Sequence, residues 1–449
     1  MAVEDMALTA RTQLITADAR VAEALYVGKS VKNLENEELD NYPICKESRW
    51  KNLNDGAEKG AADVVSNASC KEFMSEKTST EMRWHKEGLV NDGKVRHPTD
   101  SKAWKCINSK YDWFASDAHN KQPYWIMSML IPGPRSPGMN IDVYLRPLIE
   151  ELKELWEKGV ETWDAKVKKN FKLHAILLWT INDFPAYEML SGWSRKGKFA
   201  CPYCHKDTNY LWLKFGSKHC YMGHRHFLPL DHPLRKNQII FNSQVELREA
   251  PVPLTGEQVL KQHNLDVMHI EKNICESILG TLLQIEGKCK DSEKAQLDME
   301  HLGIRQDLLP IIKNDKYTLP PALYSLDKDD KKILCQFLQG VKMPDGVASN
   351  IRRCVDILPE EVVIGLIQLS RFFNAKELVE VDMDKLSISI RETLCWFEMV
   401  FPPSFFDIMV HLPIHLAEEA KVGGPVCYRW MYPVERYLRT AKGYVRNKA

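Results

Sequence analysis

The chain has 449 residues, 44% of them hydrophobic, which allows sizeable cores and roughly two to four domains by length. Lys+Arg and Asp+Glu both number 61, so the net charge is zero and any surface for a polyanion must be local. No apolar run approaches about 18 residues, so neither a transmembrane helix nor a membrane partner is expected. The first 26 residues carry Asp and Glu among their apolar residues and lack the basic start and apolar block of a secretory signal. The twelve cysteines are irregularly spaced, and one pair stands as Cys201-Pro-Tyr-Cys204. Without an export signal that pattern favours reduced thiols and a metal site over disulfides.

Residues 1–95 are weakly patterned: 7–25 suits one amphipathic helix, polar stretches follow, and the region reads as a poorly ordered N-terminal remnant. Residues 97–110 are polar and basic, with Trp104 and Trp113 available as anchors. Residues 124–131 form an apolar run of strand length, stopped by Pro132-Gly133-Pro134. Residues 140–169 read as a long helix, with Ile141, Leu145, Leu148, Ile149, Leu152 and Leu155 at helical spacing. The unbroken apolar run 174–181 reads as a buried central strand ending at Asn182-Asp183-Phe184-Pro185. Strand, helix and strand in that order suggest an α/β unit. From 266 onward the pattern is helical, with helices expected at 266–286, 360–374, 387–399, 404–419 and 432–447. The last meets the chain end without a cap signal, as if cut through an element. Three regions follow: 1–95, a core over 96–265, and a helical region over 266–449.

Four features carry candidate chemistry. Asp183 lies just past a buried strand, where α/β folds place catalytic groups, although Asn-Asp before Phe-Pro also makes a good turn. Cys201 and Cys204 can share one tetrahedral zinc, which leaves two ligands to find. Cys220 and His224 (with His226 beside them) are near in sequence; His411 and His415 are distant but share one helical face. Histidines at that spacing are also common core residues, and Leu412 stands where a zinc-protease helix needs Glu. Asp266 and His269 share a helical face, or Asn264 or Asp266 simply caps a helix running to Leu283. Glu435 falls in the first turn after Pro433, a favourable place for any carboxylate. Arg436, Arg439, Lys442, Arg446 and Lys448 follow with no acid between them, which suits a phosphodiester or a solvated face.

Taken in order, RHPTDSKAW, LIPGPRSPG, LLWTINDFPAYEMLSGWS, CPYCHKDT, CYMGHR, LDVMHIEKNICESILGTLL, FPPSFFDIMVHLPIHLAEEA and GGPVCYRWMYPVERYL resemble the transposases of plant CACTA-type elements (the En/Spm group) from about His97 onward. The resemblance implies an RNase H-like core that cuts DNA and transfers strands at terminal inverted repeats, using two Asp, one Glu and Mg²⁺ or Mn²⁺. It also implies a zinc-binding, mostly helical insertion. Asp183 then matches the second acid and Glu435 the last. Cys201 and Cys204 match the thiolate pair, His411 and His415 the histidine pair, and His269, with Asp266 nearby, a Met-His position near the site. The expected class is α/β: an incomplete RNase H-like core with that insertion and a helical C-terminal half. DNA is the implied partner, through Arg436, Arg439, Lys442 and Arg446, and the nucleus the implied location; a homo-oligomer stays open.

One departure matters. The family's first Asp lies in a TDGFNPFG-like segment soon after FASD. Here Phe114-Ala-Ser-Asp117 runs through residues 118–123 directly to Tyr124, and no such segment occurs. Asp112, Asp117 and Asp142 are the only acids near enough to substitute. Upstream, Tyr42-Pro-Ile-Cys45 keeps one Cys of a paired-Cys motif. The expectation is a shortened or degenerate member, catalytically impaired; the alternative is a non-catalytic DNA- or protein-binding remnant.

Overall fold

The computed structural model describes residue 70 and residues 73–82, 92–115, 141–176, 180–182, 184–238, 245–252, 267–305, 308–313, 316–340 and 360–430. The elements expected at 7–25, 124–131 and 432–447 lie outside them. The described residues combine helices with four two-stranded antiparallel sheets, in keeping with an α/β class. No described helix is long and apolar enough to cross a membrane.

The helix expected over 140–169 is a correction. It spans Ile141–Glu157 and buries the Ile141, Leu145, Leu148 and Leu155 stripe. Gly159, at φ +65°, then ends it, and a β-carbon there would meet the His174 ring at 2.8 Å. The rest is a hairpin in which Val160–Asp164 pairs with Lys169–Leu173. Buried Asp164 closes its turn, accepting from the Lys166 and Val167 amides at 2.8 and 3.2 Å and from Ser79 Oγ. The charges of 157–169 imitate a helix surface, but Val-Glu-Thr-Trp-Asp alternates at the strand period. Residues 174–176, expected in a central strand, follow this hairpin and join no ladder.

The main core lies in the C-terminal half. Val267–Leu282 buries Val267, Ile270, Ile274, Ile278 and Leu282 at helical spacing. Glu360–Phe373 packs against Glu380–Val400, and Gly365 permits the approach, since any β-carbon would collide with Thr393. Phe401-Pro402-Pro403 halts the long helix, because proline cannot continue it. The Phe401 and Phe405 rings stack there at 4.2 Å, with Tyr324 at 5.3 Å on Phe401. The helix expected over 404–419 is interrupted: Ile408–His411 is followed by Pro413–Gly423, with proline in the first turn of the second piece. Near the N-terminal side, the RHPTDSKAW stretch is structural. Asp100 accepts from the Arg96 and His97 amides, Ser101 caps Lys102–Lys110, and Trp104 is buried. Trp113, expected as a second anchor, is 48% exposed but packs against the Trp156 and His174 rings at 5.0 and 4.8 Å.

Candidate metal centre

Cys201 and Cys204 sit on one tight turn. His205 N–H donates to the Cys201 carbonyl at 3.0 Å, and the Cys204 amide points at Cys201 Sγ at 3.4 Å. His411 and His415 reach the turn from the two short helices. Asp407 caps the first, accepting from the Met409 and Val410 amides. Leu412 keeps helical angles (φ −58°, ψ −29°) across the break, so the two imidazoles stay on one side, with ring centroids 5.4 Å apart.

One ligand atom from each of Cys201, Cys204, His411 and His415 lies within 4.8 Å of all the others. Cys201 Sγ is 3.3 Å from His415 Nε2, and Cys204 Sγ is 3.4 Å from His415 Nε2 and 3.5 Å from His411 Nε2. Sulfur and nitrogen bound tetrahedrally to one zinc stand about 3.6 Å apart, given bond lengths of about 2.3 and 2.0–2.1 Å. These three separations are close to the sulfur–nitrogen edges of a zinc tetrahedron, and neither cysteine is in a disulfide. Burial pushes the Cys201 thiol up, but the Cys204 hydrogen bond and the neighbouring His415 and His411 outweigh it and hold it well below the usual thiol range. Cys204 moves the opposite way, through that same hydrogen bond and then burial. Such a pair shares one negative charge until a cation displaces the remaining proton. Burial also lowers the His411 pKa, which favours the neutral, ligating imidazole.

Tyr203, between the two cysteines, stacks on His415 at 4.8 Å with the planes 14° apart, and its hydroxyl donates to Glu419 at 3.0 Å. Glu419 in turn pairs with the fully buried Arg429 at 3.0 Å. Arg429→Met should leave that carboxylate buried without its counter-charge and cost about 3–5 kcal/mol of folding stability, read by chemical denaturation. A loss under about 1 kcal/mol, the range of exposed pairs, would show that the pair does not behave as buried.

The nearer candidates stand outside the group of four. Cys220 faces inward on a hairpin, and burial pushes its thiol up to about 12. His224 Nδ1 lies 2.5 Å from Glu398 Oε1, which also accepts the Gly223 and His224 amides at 2.5 and 2.9 Å. Gly223 is required for that turn: its φ is +85°, and a β-carbon would strike Asn209. A carboxylate on Nδ1–H leaves His224 Nε2 as an acceptor. That atom and His411 Nδ1 are both buried without a hydrogen-bond partner among the described residues, on rings 5.5 Å apart. A water between the rings would join them. His411, with Nε2 toward the cysteines, must carry its proton on Nδ1, so His224 is placed to orient it. Glu398→Gln should weaken zinc binding about 10–100-fold in competition with a chelator, as loss of such outer partners does. Unchanged affinity would exclude that role. An acid inside the apolar run Leu394-Cys-Trp-Phe-Glu-Met-Val-Phe was the sequence signal for Glu398; Tyr203, Glu419 and Arg429 had none beyond their place in the family-like segments.

Of the other candidates, Asp183, Asp266, Glu435, Arg436, Arg439, Lys442, Arg446 and Lys448 lie outside the described residues. His269 is half-buried in the first turn of Val267–Leu282. Asn182, just before Asp183, is buried and donates to Thr180 Oγ1 at 2.7 Å. Phe184, just after it, opens the Phe184–Ser191 helix and shares a hydrophobic cluster with Cys201 and Cys204.

Residues 120–265 match the family described as Transposase family tnp2. Residues 373–449 match the Domain of unknown function (DUF4218). No curated protein and no solved structure matches the chain. The two matches support a transposase family and a transposase-derived protein. The centre straddles them: its cysteines belong to the tnp2 match and its histidines to the DUF4218 match.

Proposed function

We propose that this chain is a CACTA-type transposase derivative in which Cys201, Cys204, His411 and His415 hold a structural zinc ion that fastens the tnp2 region to the C-terminal helices. The observation that carries this reading is the convergence of four buried or half-buried ligand atoms from segments more than two hundred residues apart. Two thiolates and two imidazoles suit zinc. Four protein ligands complete its shell, which fits a structural rather than a catalytic ion. Full-length protein purified without added metal should carry one zinc per chain, and cobalt substitution should give the intense absorption of a tetrahedral thiolate site. Protein that folds without zinc and takes up neither metal would overturn the reading.

The ancestral activity is metal-dependent cleavage and strand transfer at terminal inverted repeats, in the nucleus, with Asp183 and Glu435 as two of three acids. Mg²⁺ or Mn²⁺ would be bound by those carboxylates. The first acid is missing with its TDGFNPFG segment, so the present chain is a DNA-binding remnant rather than a working nuclease. Arg436, Arg439, Lys442 and Arg446 supply phosphate contacts in this reading.

A further inference from the structure

The hairpin of Leu211–Leu213 and Lys218–Cys220 beside the metal centre has two unlike faces, because side chains alternate along a strand. Leu213 and Cys220 are buried inward. Trp212 and His219 are opposite each other in the ladder and meet edge to face on the outer side, with ring centroids 4.8 Å apart. Tyr210 continues the row at 5.6 Å from His219, and Phe199 follows at 6.3 Å from Tyr210. Trp212 is 52% and Phe199 47% exposed. Lysines flank the rings: Lys198 Nζ lies over Tyr210 and Lys214 Nζ over Phe215, each at 5.6 Å. Lys196, Lys198, Lys206 and Lys214 are exposed and make no ion pair among the described residues. Between Trp193 and His219 Asp207 is the only acid, in a chain that is neutral overall.

The face is rigidly mounted. Asp298 accepts from the Phe215 and Gly216 amides at 2.7 and 2.9 Å, Lys218 Nζ donates to the Ser404 carbonyl, and the Tyr221 amide to that of Phe406. We infer that this outer face binds unpaired DNA, with bases stacking on the Phe199–Tyr210–His219–Trp212 row and phosphates meeting the lysines. An apolar partner would leave the lysines unmatched, and an acidic protein would leave the row of rings unused. Duplex DNA hides its bases; a single strand uses both features. The choice of DNA rests on the transposase reading.

The test measures binding of the full chain to a labelled deoxythymidine oligonucleotide of about 16 residues, a length that covers a single-strand site. The single strand should bind more tightly than a duplex of equal length. Trp212→Ala should raise Kd about tenfold with zinc content unchanged, and the paired change Lys198→Gln with Lys214→Gln should flatten the salt dependence by about 1.4 logarithmic units per decade. The inference fails if the wild type ignores the single strand or prefers the duplex, or if both variants bind like wild type. It also fails if oligouridine RNA or polyglutamate displaces the probe better than deoxythymidine does. A zinc-loaded wild type that ignores the single strand sinks this inference alone; a chain without zinc sinks the metal reading, and the Trp212→Ala comparison still judges the surface.

Discussion

Cys201→Ser should release the zinc and lower the thermal midpoint by about 10 °C or more. Structural zinc contributes about 10–16 kcal/mol in small folding units, against a net stability of about 5–15 kcal/mol for a typical domain. Here the ion would join segments that otherwise meet through the hydrophobic cluster around Phe405, Phe406 and Leu412, so part of the fold should survive its loss. Without it, Cys204 and a fully buried His411 are left in an apolar pocket with unmatched polar atoms. Chelation of the wild type should reproduce the loss, and the serine variant should not respond to chelator. Cys220→Ser, outside the group of four, should keep its zinc. A Cys201→Ser protein with wild-type zinc content and midpoint would sink the assignment.

The second large effect is catalytic silence. With DNA carrying the element's own terminal repeats and Mg²⁺ or Mn²⁺, cleavage should not rise above background. Two-metal chemistry needs carboxylates on both sides of the scissile bond, with the metals about 3.5–4 Å apart. Loss of one well-placed stabilising group commonly costs about 10²–10³ in rate, and loss of a ligand together with its strand should cost more. Asp112, one acid that could substitute, begins the short Asp112–Ala115 helix beside the Trp104 and Phe114 cluster. Cleavage that disappears in Asp183→Ala or Glu435→Ala protein would show that another acid has replaced the missing one.

Local pattern was enough for much of this molecule. The Cys-Pro-Tyr-Cys spacing and the four-residue step from His411 to His415 are short-range signals. Each sets two ligands on one turn or one helical side whatever the rest of the chain does. The helices Val267–Leu282 and Glu360–Phe373 are likewise near their expected limits, because a repeating apolar stripe needs only local geometry. Local pattern failed where two periods compete. Residues 157–169 carry charges that suit a helix, yet Gly159 and the alternation after it make a hairpin whose turn is held by buried Asp164. Asp164 also accepts from Ser79, far away in the chain, a contact no local pattern can show.

By itself, then, the sequence showed a family-like chain with a thiol pair and a histidine pair at two distant places, and no TDGFNPFG segment after Phe114-Ala-Ser-Asp117. Spacing alone could not choose between Cys220 with His224 and His411 with His415, since both sets are sound ligands; only the family resemblance favoured the second. The tertiary structure is what groups His411 and His415 with the cysteines. The long Glu380–Val400 helix brings Glu398 to His224 and engages it, the hairpin register turns Cys220 into the apolar interior, and the Asp407 cap with the Leu412–Pro413 junction aims the other two imidazoles at the cysteines. Ligand choice is a matter of which side chains converge in space, and convergence across two hundred residues is set by packing rather than by spacing along the chain.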